Sequence, residues 1–388
     1  MSLRYIGSKA RIADQIAAIL GPWPGQGRFV DAFCGTGIVA RHAADLEWPV
    51  LLNDHLSSSV TMASAQVLAG SDVPFTALGG YQAAAAALDG LAGARGFVWR
   101  EYSPASLARG VERRYFTEAN AARIDAIRGQ IATWESSGTI SPAEARLLVA
   151  DLLAATNRVA NIAGTYGCFL RNWTANARQP LRMVPRALRQ KPTVFEASCL
   201  DVFQIAVTAD DTVYLDPPYT KRQYAAYYHI LETIAEGDSP LVSGITGLRP
   251  WEHKRSPFCY KTRALNALIS LVDSLPAPRL LLSYSDEGHV SLSDLQSHLA
   301  AMGDLRVHEV ATIGRYRPNE QASANRNSVS EYVLEVWRTT CPRLSIWEDA
   351  CADGLIECPQ GYAGPVAVSA KGRKLLSENN LQSVSLAH

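Results

Sequence analysis

Ile12, Ile16, Ile19 and Leu20 recur at helical spacing and stop at Gly21-Pro22, which predicts a first helix over 10–20. The stretch 28–33 then reads as a short buried strand. It runs into Cys34-Gly35-Thr36-Gly37, and a helix is expected over about 38–46. A second buried strand, 49–53, ends at Asp54, and a helix over about 56–69 follows. This β-loop-α-β order is the opening of a doubly wound sheet.

The pattern changes between about 72 and 192. Strand signals stop, and the segment turns Ala-rich and Arg-rich; the alanines of 81–94 favour helix. Strand signals resume at 193–198, 212–216, 279–284, 305–313 and 331–337, with helices expected at about 222–236, 260–274 and 291–302. The last two strands, joined by the polar loop 315–330, read as an antiparallel hairpin at one edge. The expected fold class is therefore α/β: a Rossmann-like sheet with an antiparallel edge hairpin and a large, mostly helical insertion. The domain expectation is a discontinuous catalytic domain, 1–71 plus 193–340, interrupted by the insertion 72–192. A Gly- and Pro-punctuated tail, 341–388, suggests no role.

Composition narrows this picture. The chain has 388 residues, enough for two domains or for one with a large insertion. Hydrophobic content of 47% and charged content of 19% fit a soluble globular enzyme. The seven cysteines (34, 168, 199, 259, 341, 351, 358) are scattered, with no CxxC pair, which fits reduced thiols in a cytoplasm and offers no metal spacing. No signal-peptide core and no membrane-length apolar run is present. The expectation is a soluble, cytoplasmic protein without metal, a monomer or weak dimer.

Net charge is zero, which by itself argues against a nucleic-acid partner. The distribution argues otherwise. Arg171, Arg178, Arg182, Arg186, Arg189 and Lys191 fall in one stretch with no acidic residue. Such a run is a candidate phosphate-contacting surface; a solvated helical face is the plainer alternative. For the mixed loop carrying Arg315, Arg317 and Arg326 the plainer reading is preferred.

Two places carry candidate chemistry. The first is Phe29-Val30-Asp31-Ala32-Phe33-Cys34-Gly35-Thr36-Gly37, a strand entering a glycine turn ahead of a helix. Glycines there let backbone approach a ligand closely. The third glycine of the dinucleotide fingerprint is missing, which disfavours a nicotinamide cofactor. Asp54, 23 residues after Asp31, sits where an acid commonly accepts from ribose hydroxyls. An ordinary tight turn and helix cap is the competing reading.

The second place is Asp216-Pro217-Pro218-Tyr219, at the end of the strand that includes Thr212–Leu215. The prolines make the turn rigid and donate no hydrogen bonds. An exocyclic amine on a nucleobase is a poor nucleophile because its lone pair is delocalised into the ring. A fixed carboxylate and a carbonyl can accept its two N–H bonds and favour a pyramidal nitrogen. An adjacent aromatic ring can stack on the base, which must leave the helix to arrive there.

These residues resemble the alpha-group, Dam-like adenine-specific DNA methyltransferases, of restriction-modification type. The resemblance rests on Arg4-Tyr5-Ile6-Gly7-Ser8-Lys9, on the 30–37 loop with Asn53-Asp54, and on Asp216–Tyr219 preceded by Asp201. It implies S-adenosylmethionine as cofactor and duplex DNA as partner, and leaves a cognate endonuclease open. It implies that Tyr5 and Lys9 contact the cofactor and Asp31 its methionine end. Phe33, Gly35 and Gly37 would line its loop, Asp54 take the ribose, and Asp201 lie near the adenine. Asp216, with the Pro217 carbonyl, would bind the target amine; Pro218 completes the turn, and Tyr219 would stack on the base. The insertion stands where this family places target recognition. Residues 161–167, and 222–224 with 227–229, also look familiar from restriction-modification members.

Plainer readings apply elsewhere. At least one of Tyr224, Tyr227 and Tyr228 is expected in the core, His229 is not required as a base, and Cys34 is a packing residue. Rival readings are methylation of RNA adenine or of cytosine N4 in DNA, and a non-catalytic DNA-binding subunit.

Overall fold

A computed structural model describes residues 7, 9–314, 328–338, 353–357 and 367–378. A helix α1 (Ala13–Leu20) precedes β1 (Phe29–Asp31), α2 (Ile38–Asp45), β2 (Val50–Asn53) and α3 (Ser57–Val67). The 72–192 segment contributes α4 (Tyr81–Asp89), α5 (Phe97–Tyr102), α6 (Glu118–Ser136) and α7 (Pro142–Val159). Then come β3 (Phe195–Ser198), β4 (Thr212–Leu215), α8 (Tyr224–Tyr227), α9 (His229–Glu236), α10 (Ala264–Ser274), β5 (Arg279–Ser285), α11 (Leu292–Ala300), β6 (Gly303–Gly314) and β7 (Ser328–Arg338). The strands form one seven-stranded sheet in the order β3-β2-β1-β4-β5-β7-β6. Its first five strands are parallel, and β7 runs antiparallel to β5.

Strand residues alternate between two cores. Val30, Leu51, Val213 and Leu215 join Leu268 and Leu271 of α10 on one face. Phe29, Leu52, Tyr214 and Leu281 join Ile16 of α1 and Val39 of α2 on the other. Both faces are covered, so the central strands are buried throughout. Strand order reverses between β1 and β4, and open α/β sheets bind ligands at such a switch, beyond the carboxyl ends of the strands.

The 72–192 segment shares a third core with α3 and α9: Met62, Ile127, Leu148, Leu152 and Leu231 all belong to it. Its longest helices start at strong caps. Thr117 accepts from Asn120 N, and Ser141 and Glu144 form a reciprocal capping box with Pro142 at the first helical position. Glu232 of α9 accepts from Ser57 N and Ser58 N, both at 2.9 Å, and so caps α3 from across the core. The chain through Trp337 is one compact unit and 338–388 a second. In the second unit β8 (Ile356–Glu357) pairs with β9 (Ala367–Val368), and a helix α12 (Ala370–Glu378) follows.

Two expectations need correction. The helix expected over 222–236 breaks at Tyr228, whose φ of −117° lies outside the helical range. The Arg-rich stretch 171–191 is not helical: apart from one short turn, Asn176–Arg178, it has no regular helix or strand. Pro180 and Pro185 remove helix donors and clash with a helical backbone, which accounts for this.

Candidate active site

A cleft of about 980 Å³, including its open mouth, lies at the carboxyl ends of β1, β2 and β4. Lys9, Asp31, Phe33, Gly35, Asp54, Asp201, Asp216 and Pro218 all line it, though they span more than 200 residues of sequence. Gly37, Pro217 and Tyr219 do not form its wall. Tyr5 lies outside the described residues, as do Arg315, Arg317 and Arg326.

The two loop glycines have different duties. Gly35 (φ 48°) lines the cleft, and its N–H donates to Asp54 Oδ2 at 3.0 Å. Gly37 (φ 78°) answers to packing instead. A Cβ there would stand 2.4 Å from Ala63 Cα of α3, so the glycine permits helix–loop contact and not ligand approach. Asp54 also accepts from Leu56 N at 3.0 Å, and burial lifts its pKa to about 6 despite both bonds.

Asp31 is fully buried, and its Oδ1 has no hydrogen-bond partner. Burial, then the charges of Asp216 and Asp54, push its pKa well above the carboxylate range. Four acids, Asp31, Asp54, Asp201 and Asp216, and three cations, Lys9, Lys254 and Arg255, line this one cleft.

Asp216 is held by Lys9. Lys9 Nζ lies 3.1 Å from Asp216 Oδ1, donates to Tyr219 Oη at 3.0 Å, and lies 3.4 Å from Glu331 Oε2. It also sits 5.2 Å above the Tyr219 ring. Burial opposes the ammonium charge, but Asp216, Tyr219 and Glu331 outweigh it, and the Lys9 pKa is raised well above the ordinary value. Burial lifts Asp216 to about 6; Lys9 pulls against that rise and Glu331 adds to it. Lys9, which the resemblance would have contacting the cofactor, does line the cleft, and its charge is directed at the carboxylate of the Asp-Pro-Pro-Tyr turn. Tyr219 packs against Tyr284 with ring centres 5.3 Å apart, and its carbonyl accepts from His289 N.

Several site residues gave no signal in sequence. Phe258 meets Phe33 edge-on at 5.6 Å and stacks with Phe203 at 6.2 Å. Lys254, Arg255, Ser256 and Pro257 continue that wall. The Gln223 amide donates to Ser256 O (3.0 Å) and accepts from Ser256 N (2.9 Å), pinning the wall to the segment that follows the Asp-Pro-Pro-Tyr turn. Glu331 arrives from the antiparallel strand β7, next to the edge strand β6. Only the density of cations and aromatics in 249–263 could have pointed to this region.

The plainer readings fare as follows. Tyr228 is core, at 1% exposure, and Cys34 is buried beside the loop. His229 is buried with Nε2 3.1 Å from Tyr166 O, and burial lowers its pKa to about 4, so it is neutral. The familiar 161–167 segment leans on α8, which follows the Asp-Pro-Pro-Tyr turn, since Tyr166 N donates to Tyr227 O at 2.9 Å.

The Arg-rich run separates into three groups. Arg186 bonds Asp151 at 2.8 Å. Arg189 bonds Asp45 at 2.8 Å and donates to the Ala44 and Val67 carbonyls. Both point inward, so the phosphate-contacting reading does not fit these two. Arg182 pairs with Asp89 (2.8 Å) and Lys191 with Glu47 (3.1 Å), both on the surface. Arg171 and Arg178 are exposed, with no ion pair among the described residues.

Comparison with known proteins decides the family. Residues 5–294 match the D12 class N6 adenine-specific DNA methyltransferases. The chain belongs to that family. It is 30% identical to the Type II methyltransferase M.FokI of Planomicrobium okeanokoites over 86% of this chain and 52% of that protein. It is 28% identical to the modification methylase StsI of Streptococcus sanguinis over 84% of this chain and 50% of that protein. It is 30% identical to the Type II methyltransferase M.NlaIII of Neisseria lactamica over 85% of this chain and 98% of that protein. The chain therefore spans about half the length of the first two relatives and nearly all of the third. Among the described residues, no helix of this D12-family chain is long and apolar enough to cross a membrane.

Proposed function

We propose that this chain methylates N6 of adenine in duplex DNA at a specific sequence, using S-adenosylmethionine, as the modification enzyme of a restriction-modification system. The observation that carries this is Asp216. It is a carboxylate fixed on a rigid Pro-Pro turn, held by Lys9 at 3.1 Å, and placed on the wall of a cleft that also contains Asp31, whose Oδ1 has no hydrogen-bond partner.

S-adenosylmethionine fits this cleft because it carries two cationic centres, an ammonium and a sulfonium. Asp31 Oδ1 is a buried acceptor without a donor, suited to the ammonium. Asp54 would take the ribose hydroxyls, and Asp201 with the Phe33–Phe258 wall would hold the adenine. When bound, the cofactor supplies an electrophilic methyl group. The chain's own task is to prepare the nucleophile. Asp216 and the Pro217 carbonyl accept the two N–H bonds of the flipped base's amine and direct its lone pair into the cleft. Tyr219, fixed through its hydroxyl by Lys9, stacks on the base. The methylated nitrogen then sheds a proton, and a carboxylate with a pKa of about 6 is a competent acceptor.

Transfer of a labelled methyl group to duplex DNA tests the reading, with modified-base sequencing to locate the product. N6-methyladenine at one recurring site is the expected outcome. Full activity in Asp216→Ala would overturn the mechanism. Label on cytosine, or on RNA alone, would overturn the assigned substrate.

A further inference from the structure

Within the Arg-rich run only Arg171 and Arg178 lack an ion pair among the described residues, and a second group of such cations lies beside the cleft. Lys221 and Arg222 follow directly on the catalytic turn, and both are exposed. Arg255, Lys261 and Arg263 are exposed on the segment that forms the opposite wall of the cleft. None of these side chains has an ion pair among the described residues, in contrast to Arg182, Arg186, Arg189 and Lys191.

The two segments are stitched together. Cys259 Sγ donates to Arg222 O at 3.2 Å, and Gln223 grips the Ser256 backbone from both sides. The cations therefore form one strip along the lip of the cleft. Two of them are already oriented. The Arg255 guanidinium lies 5.2 Å from the Trp251 ring centre, and that of Arg263 lies 5.6 Å from that of Tyr260. Stacking by the face of a guanidinium leaves the N–H donors on its edge available, and those donors match a phosphate fork.

We infer that Lys221, Arg222, Arg255, Lys261 and Arg263 form the grip on duplex DNA phosphates beside the flipped base, with Arg255 and Arg263 as pre-oriented forks. This rests on the proposed DNA substrate and adds where the backbone is held. A flipped nucleotide swings about its own phosphates, so holding the flanking phosphates at the lip keeps the base over Asp216.

The test uses the full chain and a random-sequence duplex, so no target site is needed. Affinity is measured between 50 and 200 mM salt. Each phosphate contact contributes about 0.9 to the slope of log affinity against log salt, or about a 3.5-fold loss over that range. Arg255→Gln, Arg263→Gln and Lys261→Gln are each expected to flatten the slope by about 0.9, and Arg263→Lys to retain it. Arg182→Gln and Lys191→Gln should leave it unchanged. A wild-type slope in all the strip variants, or a slope lost with Arg171→Gln and Arg178→Gln instead, would overturn the strip while leaving the methyltransferase reading intact. No salt-dependent duplex binding by the wild-type chain would overturn both.

Discussion

Two buried networks in this molecule are built from the same parts. In one, Lys9 meets Asp216 and the hydroxyl of Tyr219. In the other, Arg186 meets Asp151, which accepts from the hydroxyl of Tyr81, and Arg186 N donates to that same hydroxyl. Each joins a cation, an aspartate and a tyrosine across long stretches of sequence. They differ in closure. Asp151 is 2% exposed and its partners return to one another, so the unit holds the insertion together. Asp216 is 16% exposed, faces a cleft, and shares its lysine with a second acid, Glu331. The lesson is that a closed set of partners holds the fold, whereas one with surplus negative charge facing a cavity is prepared for a ligand.

The strongest way to break this comparison is to exchange the expected outcomes. Asp216→Ala should lower methyl transfer by about 10²–10⁴-fold, the usual reach of a positioned acid–base group, with a smaller loss of stability than Asp151→Ala because Glu331, 3.4 Å away, still neutralises Lys9. Asp151→Ala should instead cost about 3–5 kcal/mol of stability in denaturant unfolding, because it strands the Arg186 charge. The protein that remains folded should transfer methyl groups at the wild-type rate. If Asp151→Ala removed activity from fully folded protein, or Asp216→Ala mainly unfolded it, the distinction would fail.

Lys9→Met comes next. Methyl transfer needs Asp216 as a carboxylate, so its rate should fall as pH drops through about 6. Lys9 lowers that pKa, and removing it should move the acid limb upward by on the order of one pH unit. A limb that stays in place would mean that Lys9 does not govern Asp216.

The same contrast explains what the sequence could reveal. The sheet was legible because Val30, Leu51 and Val213 sit in short apolar runs bounded by turns, and the cleft acids follow those runs directly. Asp31, Asp54 and Asp216 therefore could be placed on one cleft from spacing and motif order, and Asp201 from the family resemblance alone. Residues that act through the third dimension could not. Glu331 reaches Lys9 across 322 positions, and Arg189 finds Asp45 across 144. An arginine run free of local acids looks unneutralised until folding brings distant carboxylates to it. Gly37 looks ligand-facing in sequence because sequence shows a glycine's freedom but not the neighbour, here Ala63, that requires it.

Glu331→Gln gives the smallest and sharpest test. The substitution keeps the size of the side chain and removes one charge near Lys9. Glu331 adds to the rise in the Asp216 pKa, so its loss should move the acid limb of methyl transfer below pH 6, opposite in direction to Lys9→Met. It should also weaken the reaction itself. As the amine nitrogen takes on positive charge, the cluster beneath it falls from one net negative charge to none, and electrostatic stabilisation of the transition state is reduced. The rate at saturating DNA should drop while the KM for DNA stays unchanged, since Glu331 touches neither base nor phosphate. A residue that merely supported β7 would alter stability and leave the pH limb where it was. Opposite shifts from Lys9→Met and Glu331→Gln would show that the network is tuned for its open side. Shifts in the same direction would make it a second closed ion cluster, no different in kind from the one around Asp151.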